Sequence, residues 1–133
     1  MSRDVTVSVP DTARFSAQAC SEYTSRFGAA LQFPEGFDLD GWLPCQWVLS
    51  DGQTEDTGFE AYADHDGPAG VSLNLCAGDE LEWATAWAIG AYLVATLGAT
   101  LEDPQEDDAT YGPDDAAALD QAVAGLLAEA LEQ

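Results

Sequence analysis

Hydrophobic and polar residues alternate at the start of the chain. Val5, Val7 and Val9 are separated by Thr6 and Ser8, which is the period-two pattern of a half-buried β-strand. The sequence therefore predicts a first strand that buries one of its faces.

A four-residue period replaces this alternation after Pro10. Phe15, Ala19, Tyr23 and Phe27 recur on one helical face, and Asp11 is a suitable N-cap. We predict a helix that runs to about Leu31, followed by a loop over residues 33–43.

Three strands are predicted next, at Cys45–Leu49, Gly58–Ala63 and Gly70–Cys76. The connecting segments SDGQTEDT and DHDGPA are rich in Asp, Gly and Pro, which favours antiparallel hairpins. The strands are therefore expected to be neighbours in one sheet.

Two more helices are predicted in the second half of the chain. Asp79, with Glu82 three residues later, has the spacing of a capping box, and this helix is expected to end near Gly98. Pro113 begins the last helix. Between the two, residues 99–101 are expected to form a short strand or an extended exit, and residues 102–108 an acidic loop.

The elements follow the order β-α-β-β-β-α-(β)-α in a chain of 133 residues. This length suits one domain, here residues 1–133. The order predicts an α+β fold, in which an antiparallel sheet of about four strands has helices packed on one face.

The charge is the most unusual property of the sequence. The net charge is −22, from 25 acids, three arginines and no lysine. Arg26 is the last arginine, and 22 acids follow it without a further arginine or any lysine, so most carboxylates are expected to lie in water. Binding to nucleic acid or to an anionic membrane requires basic residues and is not expected. The acidity indicates recruitment of a basic protein, imitation of nucleic-acid phosphates, adaptation to high salt, or solubility.

The cysteines and the hydrophobic segments indicate a cytoplasmic protein. Cys20, Cys45 and Cys76 are odd in number and form no CxxC pair, so they predict reduced core thiols and no disulfide framework or zinc site. The first ten residues lack the pattern of a secretion signal. The uncharged stretch 83–101 is rich in Ala, Gly and Thr, which is typical of a buried helix and not of a membrane span.

No catalytic, cofactor or metal site is predicted. The single histidine, His65, lies between Asp64 and Asp66 in a predicted turn, and no nucleophile motif accompanies it. Two Asp-x-Asp-Gly strings lack the Gly and Glu that a calcium loop needs at its sixth and twelfth positions. We therefore expect a non-catalytic protein without cofactors.

Two groups of acids are the candidate partner-binding residues. The first group belongs to the hairpins: Asp51, Glu55, Asp56, Glu60, Asp64 and Asp66. The second precedes the last helix: Glu102, Asp103, Asp107 and Asp108, with Tyr111 beside them. An aromatic residue among acids suits a hot spot for Arg or Lys from a partner. The alternative for the second group is a solvated loop.

The segment from Gly58 to Gln105 contains an F-E-x-Y strand, a V-x-L-x-L strand and an Ala-rich helix that leads into LGATLEDPQ. It resembles small bacterial immunity proteins that neutralise secreted polymorphic toxins. The resemblance implies a cytoplasmic antitoxin that binds a basic toxin or nuclease and has no catalytic residues. In charge alone, the chain also resembles acidic phage proteins that mimic DNA and block restriction or CRISPR complexes. A salt-adapted domain of unrelated function is the other alternative.

Overall fold

The computed structural model describes residues 3–10, 15–34, 41–67, 70–103 and 109–131, without the side chains of Arg3, Trp42 and residues 64–66. Seven strands in this part of the chain form one antiparallel sheet in the order β2-β3-β4-β5-β1-β6-β7. The strands are Arg3–Val9 (β1), Ala29–Gln32 (β2), Gly41–Leu49 (β3), Thr54–Gly67 (β4), Gly70–Ala77 (β5), Thr100–Asp103 (β6) and Ala109–Tyr111 (β7).

The first strand lies near the middle of the sheet. Val7 of β1 is opposite Leu73 of β5 on one side and Leu101 of β6 on the other. β1 therefore joins the β2–β5 meander to the β6–β7 hairpin. All three side chains are fully buried, so the predicted alternation of β1 is confirmed.

Helix α2, Glu80–Leu97, packs on one face of the sheet. Its predicted ends are confirmed. The Asp79 carboxylate accepts a hydrogen bond from the Glu82 amide at 2.8 Å, and the Glu82 carboxylate accepts one from the Gly78 amide at 2.8 Å. Gly98 ends the helix with a φ of 72°, which a residue without a Cβ adopts readily.

Helices α1, Ala17–Thr24, and α3, Ala116–Leu131, pack against α2. From residue 83 to residue 94 every residue of α2 is buried. The sheet covers one side of this helix, and α1 and α3 cover further parts of its surface. This arrangement explains why the helix is apolar around its circumference.

Helix α1 differs from the prediction at both ends. Its N-cap is Ser16, whose hydroxyl accepts a hydrogen bond from the Ala19 amide, and the predicted cap Asp11 lies outside the described residues. The helix passes into a 3₁₀ turn at Ser25–Phe27 and stops at Gly28, which has a φ of 92°. The prediction of a helix to Leu31 was therefore wrong, because the left-handed glycine redirects the chain into β2.

The α+β class and the antiparallel sheet are confirmed, but the count of about four strands and the order of elements were wrong. β2 and β7 have four and three residues, too few for a clear alternation pattern. Part of the predicted acidic loop, Glu102 and Asp103, belongs to β6. The loop predicted over residues 33–43 is shorter than expected, since β3 already begins at Gly41.

The three cysteines are free thiols; Cys20 and Cys45 are buried and Cys76 is half-buried. Burial raises the pKa of Cys45 to about 12 and raises those of Cys20 and Cys76 as well. Because the thiolate is the reactive form of cysteine, none of the three is an activated nucleophile.

Candidate functional site

The face of the sheet that points away from α2 is the candidate site, and we call it the open face. On β1 the valines point toward α2, so Asp4, Thr6 and Ser8 point the other way. No helix in the described part of the chain packs on this side. Its described side chains are half-buried or exposed.

Strand register arranges the open-face side chains in rows. In one row Glu60 of β4 is opposite Cys76 of β5, and Cys76 is opposite Asp4 of β1. Glu60 and Asp4 are two strands apart, which corresponds to about 10 Å across a sheet. Two carboxylates distant in the sequence therefore lie in the same row, on either side of a thiol.

The next row includes an aromatic residue on β4 and a carboxylate on β6. Tyr62 is opposite Asn74, Asn74 is opposite Thr6, and Thr6 is opposite Glu102 of β6. Glu102 thus lies on the same face as the hairpin acid Glu60. One acid of each predicted group therefore lies on the same surface, because β1 pairs with both β5 and β6.

Tyr62 stands out on this surface. Among the residues that the structure describes, it is the one large hydrophobic side chain that is exposed, at 53%. Its hydroxyl donates a hydrogen bond to a carboxylate oxygen of Glu60. That hydrogen bond, and then the Glu60 charge, raise the pKa of Tyr62, so the phenol keeps its proton to a higher pH than an ordinary tyrosine.

A fourth acid, Asp56, lies toward the β2 edge of the open face. It is opposite Gln46 of β3, and its carboxylate accepts a hydrogen bond of 2.8 Å from the Gln46 amide. This contact fixes the position of the carboxylate, while Asp56 remains exposed.

Of the predicted hairpin residues, Asp56 and Glu60 lie on the open face. Asp64 shares the register of that face, opposite Ser72, but its side chain and that of Asp66 are outside the described part. Glu55 points the other way, opposite Trp47, and is exposed.

Asp51 has a local role in the β3–β4 turn. Its carboxylate accepts a hydrogen bond of 2.9 Å from the Gln53 amide. It therefore lies away from the rows of the open face and stabilises the turn that joins the two strands.

Two residues of the second predicted group are corrected. Asp103 is only 2% exposed, because it follows Leu101 on the inward side of β6. Tyr111 is half-buried with its ring 5.9 Å from that of Trp87, so it packs against the core and is not an exposed hot spot. Of the members of this group that the structure describes, Glu102 is the one on the open face. Asp107 and Asp108 lie outside the described residues.

Asp4 and Tyr62 are open-face residues that the sequence-based prediction missed. Asp4 directly precedes Val5, so the alternation predicted that its side chain points away from the face of the valines. The alternation did not predict that Asp4 lies in one row with Cys76 and Glu60. Tyr62 lies two residues beyond Glu60 on the same strand face, and this spacing was the available signal for it.

The edge of the sheet at β2 is protected. The Leu31 amide donates a hydrogen bond of 3.0 Å to the Thr24 hydroxyl, so this backbone donor is not offered to another strand. Helix α1 also packs against β2. Since covered and short edge strands resist strand addition, the open face is better suited to binding a partner than this edge.

The charge of the open face is one-sided. Arg26 is the one basic side chain that the structure describes, and it binds Asp120 on α3, away from this surface. In the described part of the chain no group of three or more His, Cys, Asp or Glu side chains has the arrangement of a metal site. No helix there has the length and apolarity needed to cross a bilayer.

Comparison of the chain with protein-family models, with curated proteins and with solved structures gave no match.

Proposed function

We propose that the protein is a non-catalytic inhibitor that binds a basic protein through the open face of its sheet. In this proposal it acts in the cytoplasm as an immunity protein, which neutralises a bacterial toxin or nuclease. The observation that carries the proposal is the open face itself, where Asp4, Glu60 and Glu102 project from three strands.

A strongly acidic surface has an energetic cost. A net charge of −22 opposes compaction by self-repulsion, and the open face adds to that cost by bringing carboxylates of different strands together. A basic partner surface offsets the repulsion when it binds. The same field speeds encounter, with on-rates raised about 10- to 1,000-fold over uncharged pairs.

The rigidity of the face also supports the proposal. Its acids project from paired strands, and two of them, Glu60 and Asp56, accept hydrogen bonds from neighbouring side chains. Carboxylates held in this way lose little conformational freedom on binding, which lowers the entropic cost of association.

The test is a pull-down from the source cells with the full chain as bait, followed by affinity measurements on the captured protein. The informative variant is Asp4→Asn, Glu60→Gln, Glu102→Gln. Its control is Glu22→Gln, Glu55→Gln, Glu129→Gln, which removes three charges from exposed positions away from the open face.

We expect capture of a basic protein, and a loss of affinity of roughly tenfold or more for the open-face variant. The control variant should lose much less. A basic toxin as prey supports the immunity role, and a restriction or CRISPR enzyme indicates a DNA mimic. Equal effects of both variants would contradict use of the open face, because only the overall charge would then matter.

A further inference from the structure

We propose that Tyr62 and Glu60 together form a binding site for the guanidinium group of an arginine side chain on the partner. This inference rests on the proposed function, and it assigns the centre of the contact and the kind of side chain that fills it.

The geometry of the pair comes from the strand. Residues 60 and 62 are two apart on β4 and project from the same side of the sheet. The hydroxyl of Tyr62 is bonded to Glu60, which fixes the aromatic ring beside the carboxylate. Tyr62 is 53% exposed to solvent, and the carboxylate has further lone pairs for a donor.

The molecule contains the same arrangement with its cation in place. Tyr23 donates a hydrogen bond of 2.5 Å to Asp120 Oδ1. Arg26 lies over the Tyr23 ring, with Cζ 4.2 Å from the ring centroid, and its Nη1 donates to Asp120 Oδ2 at 2.8 Å. A tyrosine bonded to a carboxylate thus already binds a guanidinium within this fold.

On the open face the tyrosine and the carboxylate are present, and the described side chains supply no cation. Glu60 is opposite Cys76, which contributes no charge because burial, Asp4 and Glu60 raise its pKa. Asp4 beyond Cys76 adds a further negative charge. Among the described residues nothing supplies that charge, and in this proposal the complementary group is a cation from another molecule.

Arginine fits this site better than lysine. A guanidinium is planar, so it stacks on an aromatic ring while its N–H groups point at a carboxylate, and it is more weakly hydrated than an ammonium group. Lysine brings the same charge without the planar stacking surface. A preference for arginine at equal charge is therefore the signature of the site.

The experiment uses the full chain with ¹³C-labelled tyrosine rings, titrated with N-acetylated, C-amidated triarginine and trilysine at low ionic strength. We expect triarginine to shift the Tyr62 ring resonances and to bind about three- to fivefold more tightly than trilysine. The Tyr62→Leu variant assigns the resonances and should abolish the preference. Asp56→Asn removes one charge elsewhere on the open face. It should weaken the binding of both peptides equally and preserve the preference for triarginine.

Three outcomes would overturn the inference: equal affinities with unmoved Tyr62 resonances, a preference that survives Tyr62→Leu, or no binding of either peptide. Any of these outcomes leaves the proposed function intact, provided that the captured partner binds the Asp4→Asn, Glu60→Gln, Glu102→Gln variant more weakly than the unchanged protein. A partner insensitive to that variant contradicts the proposed function instead, whatever the peptides do.

Discussion

Arg26 and Asp120 lie 94 positions apart in the sequence and form an ion pair of 2.8 Å between the 3₁₀ turn after α1 and helix α3. Tyr23 completes the contact through its hydroxyl and its ring. The ion pair thereby neutralises one of the 22 acids that follow the last arginine in the sequence.

The first prediction concerns this ion pair. Asp120→Asn should lower the free energy of unfolding by roughly 1 kcal/mol, because the Arg26 side chain is 53% exposed and solvent screens the pair. Urea unfolding at low ionic strength measures the effect. Glu129→Gln removes one charge from an exposed position on the same helix and should be neutral or slightly stabilising. Equal effects of the two variants would mean that the ion pair contributes nothing beyond its charge.

A second prediction concerns a buried hydrogen bond that joins the sheet to α2. The Trp47 indole N–H donates to the Thr85 hydroxyl at 2.9 Å, and both side chains are fully buried. Thr85→Val leaves the indole without an acceptor and should cost about 1–3 kcal/mol. Thr96→Val, at an exposed position of the same helix, is the control in the same denaturation experiment. A neutral Thr85→Val would show that the indole finds another acceptor.

The third prediction compares two helical glycines. A Cβ at Gly90 would lie 2.5 Å from Cδ1 of the fully buried Leu101, whereas a Cβ at Gly125 would meet nothing within 4 Å. Gly90→Ala should therefore cost about 1–3 kcal/mol through overpacking. Gly125→Ala should stabilise by up to about 1 kcal/mol through helix propensity. Thermal unfolding should show shifts in opposite directions, and a stabilising Gly90→Ala would contradict the close approach of α2 to β6.

The fourth prediction concerns alkaline pH. Burial raises the pKa of Cys45 from 9.0 to about 12, so the unfolded chain loses this proton at a lower pH than the folded one. The stability due to this group is complete below pH 9 and is lost as the pH rises toward 12. The slope is about 1.4 kcal/mol per pH unit.

Urea midpoints measured from pH 8 to pH 11 test this linkage. Cys45→Val removes one titrating group and should make the decline less steep, while Cys20, whose pKa burial also raises, continues to contribute. Cys76→Ser is the control, since Cys76 is only half-buried and should change the decline less. An unchanged decline in Cys45→Val would show that other groups or overall repulsion determine it.

Local features of the fold could be predicted from the sequence because short-range contacts determine them. The start of α2 follows from hydrogen bonds within four residues at Gly78, Asp79 and Glu82. The inward side of β1 follows from alternation. The strands β2 and β7 could not be predicted, since they are short and are stabilised by their neighbours in the sheet.

The candidate site could likewise be predicted only in part from the sequence. The sequence by itself determined that the protein is strongly acidic, that its strands have a polar side, and that Glu60 and Tyr62 share a strand face. Only the tertiary structure decided that β1 pairs with β5 and β6, which brings Asp4 and Glu102 onto the face of Glu60.

The tertiary structure also decided that Asp103 and Tyr111 point inward, while Glu102 points outward. The physical reason is that strand side chains alternate, so a shift of one residue moves a side chain to the opposite face. Register depends on pairing with strands that are distant in the sequence. Residue types and local spacing therefore determined the chemistry of the surface, and long-range pairing determined which residues share it.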